Sequence, residues 1–207
     1  MTLEELRESE REACRKDPVY FCETYCHIED KDAAELIQPF TLWDGQKKAL
    51  RVFASERLVC VLKARQLGFT WLALAECARL LGLNTGRTAI GLSKSEDDAA
   101  ELVRRLAVIF RYMPEFIREV ETPTGKIQGW TGPVFYKSTL KIVIMWPNAP
   151  ESVFKALAAS QSAGRSLTAD LIVIDEWAFQ QYAEEIWTAA YPTINRPFGG
   201  RVLGLST

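Results

Sequence analysis

Leu58-Val59-Cys60-Val61-Leu62-Lys63-Ala64-Arg65-Gln66-Leu67-Gly68-Phe69-Thr70-Trp71 is the stretch on which the fold turns. Five apolar residues in succession read as a short strand covered on both faces. A basic loop follows, and Trp71 to Leu81 then carry a helix that Gly82 and Asn84 end. Strand, loop and helix in immediate succession let backbone N–H groups and a helix N-terminus gather phosphate oxygens. Against the standard phosphate loop G-x-x-x-x-G-K-[ST], Gly68 and Thr70 match, while Lys63 stands at the first Gly and Phe69 at the Lys. Gly68 allows close backbone approach and Thr70 offers a hydroxyl to magnesium. The cation for the phosphates is then expected from Lys63 or Arg65, with Ala64, Gln66, Leu67 and Phe69 completing the loop around the nucleotide. Taken alone, the segment is also compatible with a basic strand end before an ordinary helix.

A second apolar run, Leu171-Ile172-Val173-Ile174, ends in Asp175-Glu176. Adjacent carboxylates at the carboxyl end of a buried parallel strand are costly unless they face a metal or a substrate. Asp175 is therefore expected on magnesium, and Glu176 is expected to polarise an attacking water. The alternative is Asp175 as a helix N-cap with Glu176 in the first turn. Gln46 lies shortly before the phosphate loop, and its amide can both donate to and accept from an adenine edge. Phe40 and Trp43 are candidates for the wall of that base site or for core. Arg165, among the small residues Ala163, Gly164 and Ser166, is placed to approach a γ-phosphate, though a solvated arginine fits the sequence equally well.

The rest of the chain supports an α/β domain. Thr88 to Leu92 reads as a strand, and Ser93 or Ser95 caps a long helix from Glu96 to Tyr112. Pro114, Pro123, Gly125, Gly129, Gly132 and Pro133 mark a loop region. Val134-Phe135-Tyr136 and Leu140 to Trp146 suggest two added antiparallel strands, and Arg201 to Leu205 a last strand before Ser206-Thr207. Strands alternating with helices imply a mostly parallel sheet with right-handed connections. Upstream, Thr2 to Lys16 reads as a solvated helix with a stripe at Leu3, Leu6 and Ala13, and Pro18 to about His27 as a second helix. Residues 1–36 are thus expected to form a helical appendage to an ATPase domain over 37–207. A further domain is expected beyond Thr207, because a core strand there lacks a covering helix.

Composition narrows the setting without naming a partner. With 25 Lys and Arg against 27 Asp and Glu, a polyanion must be met by a local patch. The acidic start lacks a secretory signal, and no apolar run approaches the roughly twenty residues of a membrane span, so a cytosolic protein is expected. Five cysteines make an odd count suited to a reducing compartment. Cys22, Cys26 and His27, with Cys14, read as core filling rather than as zinc ligands.

The set Pro18-Val19-Tyr20-Phe21, Pro39-Phe40 followed by Gln46, Lys63 to Thr70, Ile174-Asp175-Glu176 and Leu205-Ser206-Thr207 resembles the ATPase half of the large terminase subunit of tailed bacteriophages. The resemblance covers most of the chain and implies a P-loop NTPase fold of the ASCE class, RecA- and helicase-like. It implies ATP and Mg2+ as cofactors, Lys63 and Arg65 on phosphates, Thr70 and Asp175 on the metal, and Glu176 as catalytic carboxylate. Gln46 matches the adenine-contacting glutamine, and Ser206-Thr207 the motif coupling hydrolysis to motion. Arg165 and Arg65 each match a position used for an arginine finger, and the sequence does not choose between them. The implied partners are double-stranded DNA, a portal protein, a small terminase subunit and further copies in a ring, commonly of five. The isolated domain is expected to be monomeric, the setting the host cytoplasm at the procapsid portal, and the nuclease domain of the family absent from these residues. Two rival readings are a helicase-like translocase, against which Phe69 argues, and a nucleotide-binding scaffold that has lost catalysis, against which Glu176 argues.

Overall fold

The computed structural model describes residues 2–113, 134–146, 148–159, 169–194 and 199–207. Helix α1, Leu3–Lys16, starts at a reciprocal cap between Thr2 and Glu5, and α2, Pro18–Tyr25, starts with Asp17 accepting from Val19 and Tyr20 N–H. The expected stripe of α1 is not its contact face, since Leu3 and Leu6 are exposed. Cys14 is buried instead, and Arg15 donates to the carbonyl of Leu83. Helix α2 ends at Tyr25, two residues before the expected end, because His27–Glu29 (β1) pairs antiparallel with Ile37–Pro39 (β2).

Helix α3, Asp44–Ser55, leads into β3, Leu58–Leu62, and the phosphate-loop helix α4 runs Phe69–Leu83. Then come β4, Thr88–Ser93, and α5, Glu96–Tyr112, with Ser95 as its cap. The expected antiparallel pair is β5, Val134–Lys137, and β6, Lys141–Met145. Strands β7, Ser152–Ala158, and β8, Leu171–Ile174, helix α6, Ala183–Ile194, and strand β9, Arg201–Ser206, complete the order.

One sheet carries the order β3-β9-β8-β4-β7-β6-β5. The first five of these strands are parallel and the last two form an antiparallel extension. One face packs on α4 and α5, in a cluster that also takes Cys14, Val19, Phe21 and Cys22 from α1 and α2. On the other face Ile186 and Ala190 of α6 cover Ile90, Leu92, Ile172, Ile174 and Val202. The expectation that β3 is covered on both faces is corrected here. Among the described residues it is an edge strand paired only with β9, so Leu58 and Leu62 are 44% and 85% exposed while Val59 and Val61 pack inward.

Candidate nucleotide site

The carboxyl ends of β3, β9 and β8 lie side by side, and parallel register aligns the three chain segments with chemistry. Leu62 sits opposite Ser206, Ile174 opposite Gly204, and Lys63 N–H donates to Ser206 O at 2.9 Å. The loop leaving β3 is shaped by two left-handed residues, Gln66 at φ 63° and Gly68 at φ 71°. Gly68 is the N-cap of α4, accepting from Leu72 N–H, so the loop's turn delivers its main chain to a helix N-terminus. A side chain on Gly68 would be strained in φ and would meet the Gln46 amide 3.0 Å away.

Lys63 Nζ stands 3.3 Å from Glu176 Oε1, with the lysine side chain only 7% exposed. The other oxygen of Glu176 accepts from Thr207 Oγ1 at 3.1 Å. Thr70 Oγ1 lies 3.2 Å from both carboxylate oxygens of Asp175. Burial pushes the Asp175 carboxyl above its ordinary value, with the neighbouring Glu176 charge adding and Lys63 and Thr70 opposing. A carboxylate held in this way, beside a hydroxyl, is a site that gains from a cation, and the pair fits a magnesium ion. Ser206 Oγ accepts from Ala178 N–H at 3.2 Å, so the end of β9 touches the turn after the acidic pair, and Thr207 just beyond it touches Glu176 itself.

Glu176 has left-handed backbone, φ 49° and ψ 45°, before a short 3-10 turn over Trp177–Phe179. For a residue with a Cβ this costs on the order of 1–2 kcal/mol, and it turns the carboxylate back toward β3 and β9 rather than along a helix. Gly204 makes room for the turn, since a Cβ there would lie 2.2 Å from the Trp177 ring.

The remaining expected site residues fall in three groups. Ala64, Arg65, Gln66 and Leu67 form the exposed crown of the loop, and Phe69 is buried with its ring edge-on to Trp43, 6.3 Å between centroids. Gln46 is 4% exposed: its Oε1 accepts from Trp43 N–H and its Nε2 donates to Leu67 O at 3.0 Å. The amide thus ties α3 to the phosphate loop, with Phe40 in the core and Trp43 half exposed beside it. Arg165 lies outside the described residues. On α5, Arg104 is paired with Glu101 and Glu29, and Arg105 pairs with Glu101 while stacking over Trp71.

Sequence reasoning missed Gln180, Gly204 and the fully buried Glu76. Glycine inside an otherwise apolar strand is a signal of close approach and marked Gly204. Glu76, amid the apolar run of α4, marked a buried charge needing partners, and it finds Arg79 and Arg201.

No known family's sequence profile matches the chain. Among solved structures it is similar to the large terminase of bacteriophage HK97, at 19% identity and TM-score 0.63 over 93% of this chain and 37% of that one. It is also similar to the ATPase domain of the large terminase of Thermus phage P74-26, at 19% identity and TM-score 0.61 over 81% of this chain and 66% of that one. A third likeness is to the large terminase of a thermophilic bacteriophage in complex with ADP, at 11% identity and TM-score 0.56 over 80% of this chain and 39% of that one. The chain therefore has the fold of large terminase ATPase domains and spans 37% to 66% of the length of these three structures.

Proposed function

We propose that this chain is an ATP-hydrolysing motor domain of the kind that packages viral double-stranded DNA. The observation that carries the reading is the convergence of Lys63, Thr70, Asp175, Glu176 and Thr207 at one end of a parallel sheet. The loop from Lys63 to Thr70 would bind the phosphates, with Lys63 supplying the charge that Phe69 lacks and Arg65 reaching from the crown. Thr70 and Asp175 would hold magnesium, whose charge offsets that developing on the phosphoryl oxygens. Glu176 would orient the attacking water and accept its proton. Thr207, in contact with Glu176, and Ser206, in contact with the following turn, would pass any movement of the acidic pair into β9. Gln46 would act at the loop through Leu67, and Arg165 or Arg65 would stabilise the transition state.

In the intact protein these residues would work in a ring at a portal, together with a small subunit and DNA, in the host cytoplasm. Residues 1–36, with α1, α2 and β1, would serve as a layer on the ATPase domain over 37–207.

The test is magnesium-dependent ATP turnover against protein concentration, for the parent, Glu176→Gln, Arg165→Ala and a mixture of the two variants. Turnover that rises with concentration, is lost in each variant and returns on mixing would support an assembling motor with Arg165 acting in trans. Loss only in Glu176→Gln would leave an ATPase without that finger. Equal turnover in parent and Glu176→Gln would overturn the catalytic reading in favour of a lapsed scaffold.

A further inference from the structure

Gln180 closes the turn that follows the acidic pair. Its N–H donates to Trp177 O, and its side chain folds back so that Nε2 donates to Asp175 O at 2.7 Å and, more distantly, to Leu92 O at 3.4 Å. The residue is 5% exposed. Asp175 follows β8 directly and Leu92 is the next-to-last residue of the adjacent β4, and the two also meet through Asp175 N–H donating to Leu92 O.

Asp175 O belongs to the peptide that joins Asp175 to Glu176, and rotation of that peptide plane is what would carry Glu176 out of its left-handed conformation. The plane is held at both ends: its oxygen by Gln180, and its N–H by Oδ1 of Asp175 at 3.2 Å. The second hold depends on a carboxylate with a competing role toward Thr70 and a metal. The first is free of that competition.

A second observation points the same way. Gln180 Oε1 is buried and, among the described residues, accepts from no donor. An unpaired buried acceptor is costly, so an apolar side chain of the same size would be the more stable choice unless the amide N–H groups were needed. Flipping the amide would only set its oxygen against two carbonyls.

We propose that Gln180 is a positioning residue that holds the Asp175–Glu176 peptide, and through it the aim of the Glu176 carboxylate. The proposal rests on the reading of Glu176 as the catalytic carboxylate. The experiment compares Gln180→Met, which keeps the volume and removes both hydrogen bonds, with Gln180→Leu, which removes them in a branched apolar side chain. For each, kcat and KM for magnesium-ATP, ADP affinity and Tm are measured in the parent and in Glu176→Gln. A misaimed catalytic group costs on the order of 100-fold in rate. Both variants should therefore lose roughly 10- to 100-fold in kcat, with KM, ADP affinity and Tm close to the parent. In Glu176→Gln, adding either change should leave the residual rate unaltered. Loss that persists in Glu176→Gln, a parallel fall in ADP affinity and Tm, or unfolding of both variants would make the role merely structural and overturn the proposal. Absence of turnover in the parent removes the ATPase reading itself, whereas an active parent beside an equally active Gln180→Met removes this proposal alone.

Discussion

Lys63 and Glu176, separated by 113 positions in sequence, are joined by an ion pair of 3.3 Å between Nζ and Oε1. The pair puts the only cation found at the carboxylate on the first position of the phosphate loop, among the described residues. Position 69, where the standard loop has its lysine, turns a phenylalanine into the core against Trp43. Lys63→Ala is expected to lower ATP turnover by roughly 100- to 1000-fold, the range for removing one preorganised charge partner of a transition state. Phe69→Lys should not restore turnover in that variant, and should lower Tm because it places an ammonium where Phe69 is 7% exposed. Steady-state hydrolysis and thermal melts of the two single variants and the double variant decide it. Recovery in the double variant would move the working cation to position 69.

Asp175 predicts opposite effects on stability and activity. Its carboxyl is raised above the ordinary value, chiefly by burial. A raised folded value means that the folded state favours the protonated form, so this contribution is complete below the unfolded pKa and is lost as pH rises through the folded one. The ionised form of Asp175 therefore opposes folding unless a cation is bound. Asp175→Asn should raise Tm at pH 7 without magnesium, abolish turnover, and remove the stabilisation that magnesium with nucleotide gives the parent. A lower Tm for Asp175→Asn at pH 7 would refute this account.

The sheet was legible where chemistry and hydrophobicity coincide. Leu171 to Ile174 reads as a buried strand and ends in charges, so both its place and its polarity follow from four residues and the two after them. Strand β7 was not legible, because Ser152-Val153-Phe154-Lys155-Ala156 alternates too briefly to separate from a loop until β4 and β6 pair with it. Position within the sheet was hidden as well: Leu58 to Leu62 is as apolar as an interior strand, and only pairing shows it at the edge. At the site, residue types gave Lys63, Thr70, Asp175 and Glu176. They could not show that the amide of Gln46 is spent on Trp43 and Leu67, or that Thr207 reaches Glu176, because those contacts arise from tertiary register.

Gly204 ties the register of β9 to the turn that carries Glu176. A Cβ at this position would lie 2.2 Å and 2.5 Å from two atoms of the Trp177 ring. The ring also packs against Trp187, with 5.6 Å between centroids, so retreat disturbs α6. Gly204→Val should cost about 1–3 kcal/mol, as overpacking of a filled core does. It should also reduce turnover by more than the loss of folded protein explains, because Trp177 follows Glu176 directly. Chemical denaturation with turnover per folded molecule tests both parts, and Gly204→Val with unchanged specific activity would show that the turn absorbs the displacement.

Glu76 is fully buried on α4, where both its oxygens face guanidinium groups: Arg79 at 2.8 Å and Arg201 at 2.6 Å. Arg79 also donates to Arg15 O, and Arg201 to Phe53 O, so one carboxylate organises donors that fasten α1, α3 and β9 to the phosphate-loop helix. Burial pushes the Glu76 carboxyl up, but the hydrogen bonds and charges of Arg79 and Arg201 outweigh it and hold it below the ordinary carboxylate range. A depressed folded value gives stability that is present above the unfolded pKa and lost as pH falls through the folded one. Glu76→Gln should therefore cost about 3–5 kcal/mol at pH 7, as breaking a buried pair does, since two arginines lose their counter-charge. The gap between parent and variant should narrow as the pH falls below the unfolded carboxyl's value and through the depressed folded one, where the parent's own carboxylate protonates. Arg201 opens β9 at the end far from Ser206 and Thr207, so specific activity of the folded variant should fall much less than its stability. Denaturation curves at pH 7 and at pH 4, with turnover measured below the melting range, separate the two effects. A gap of equal size at both pH values would mean that the carboxylate's charge is not what holds these four elements together.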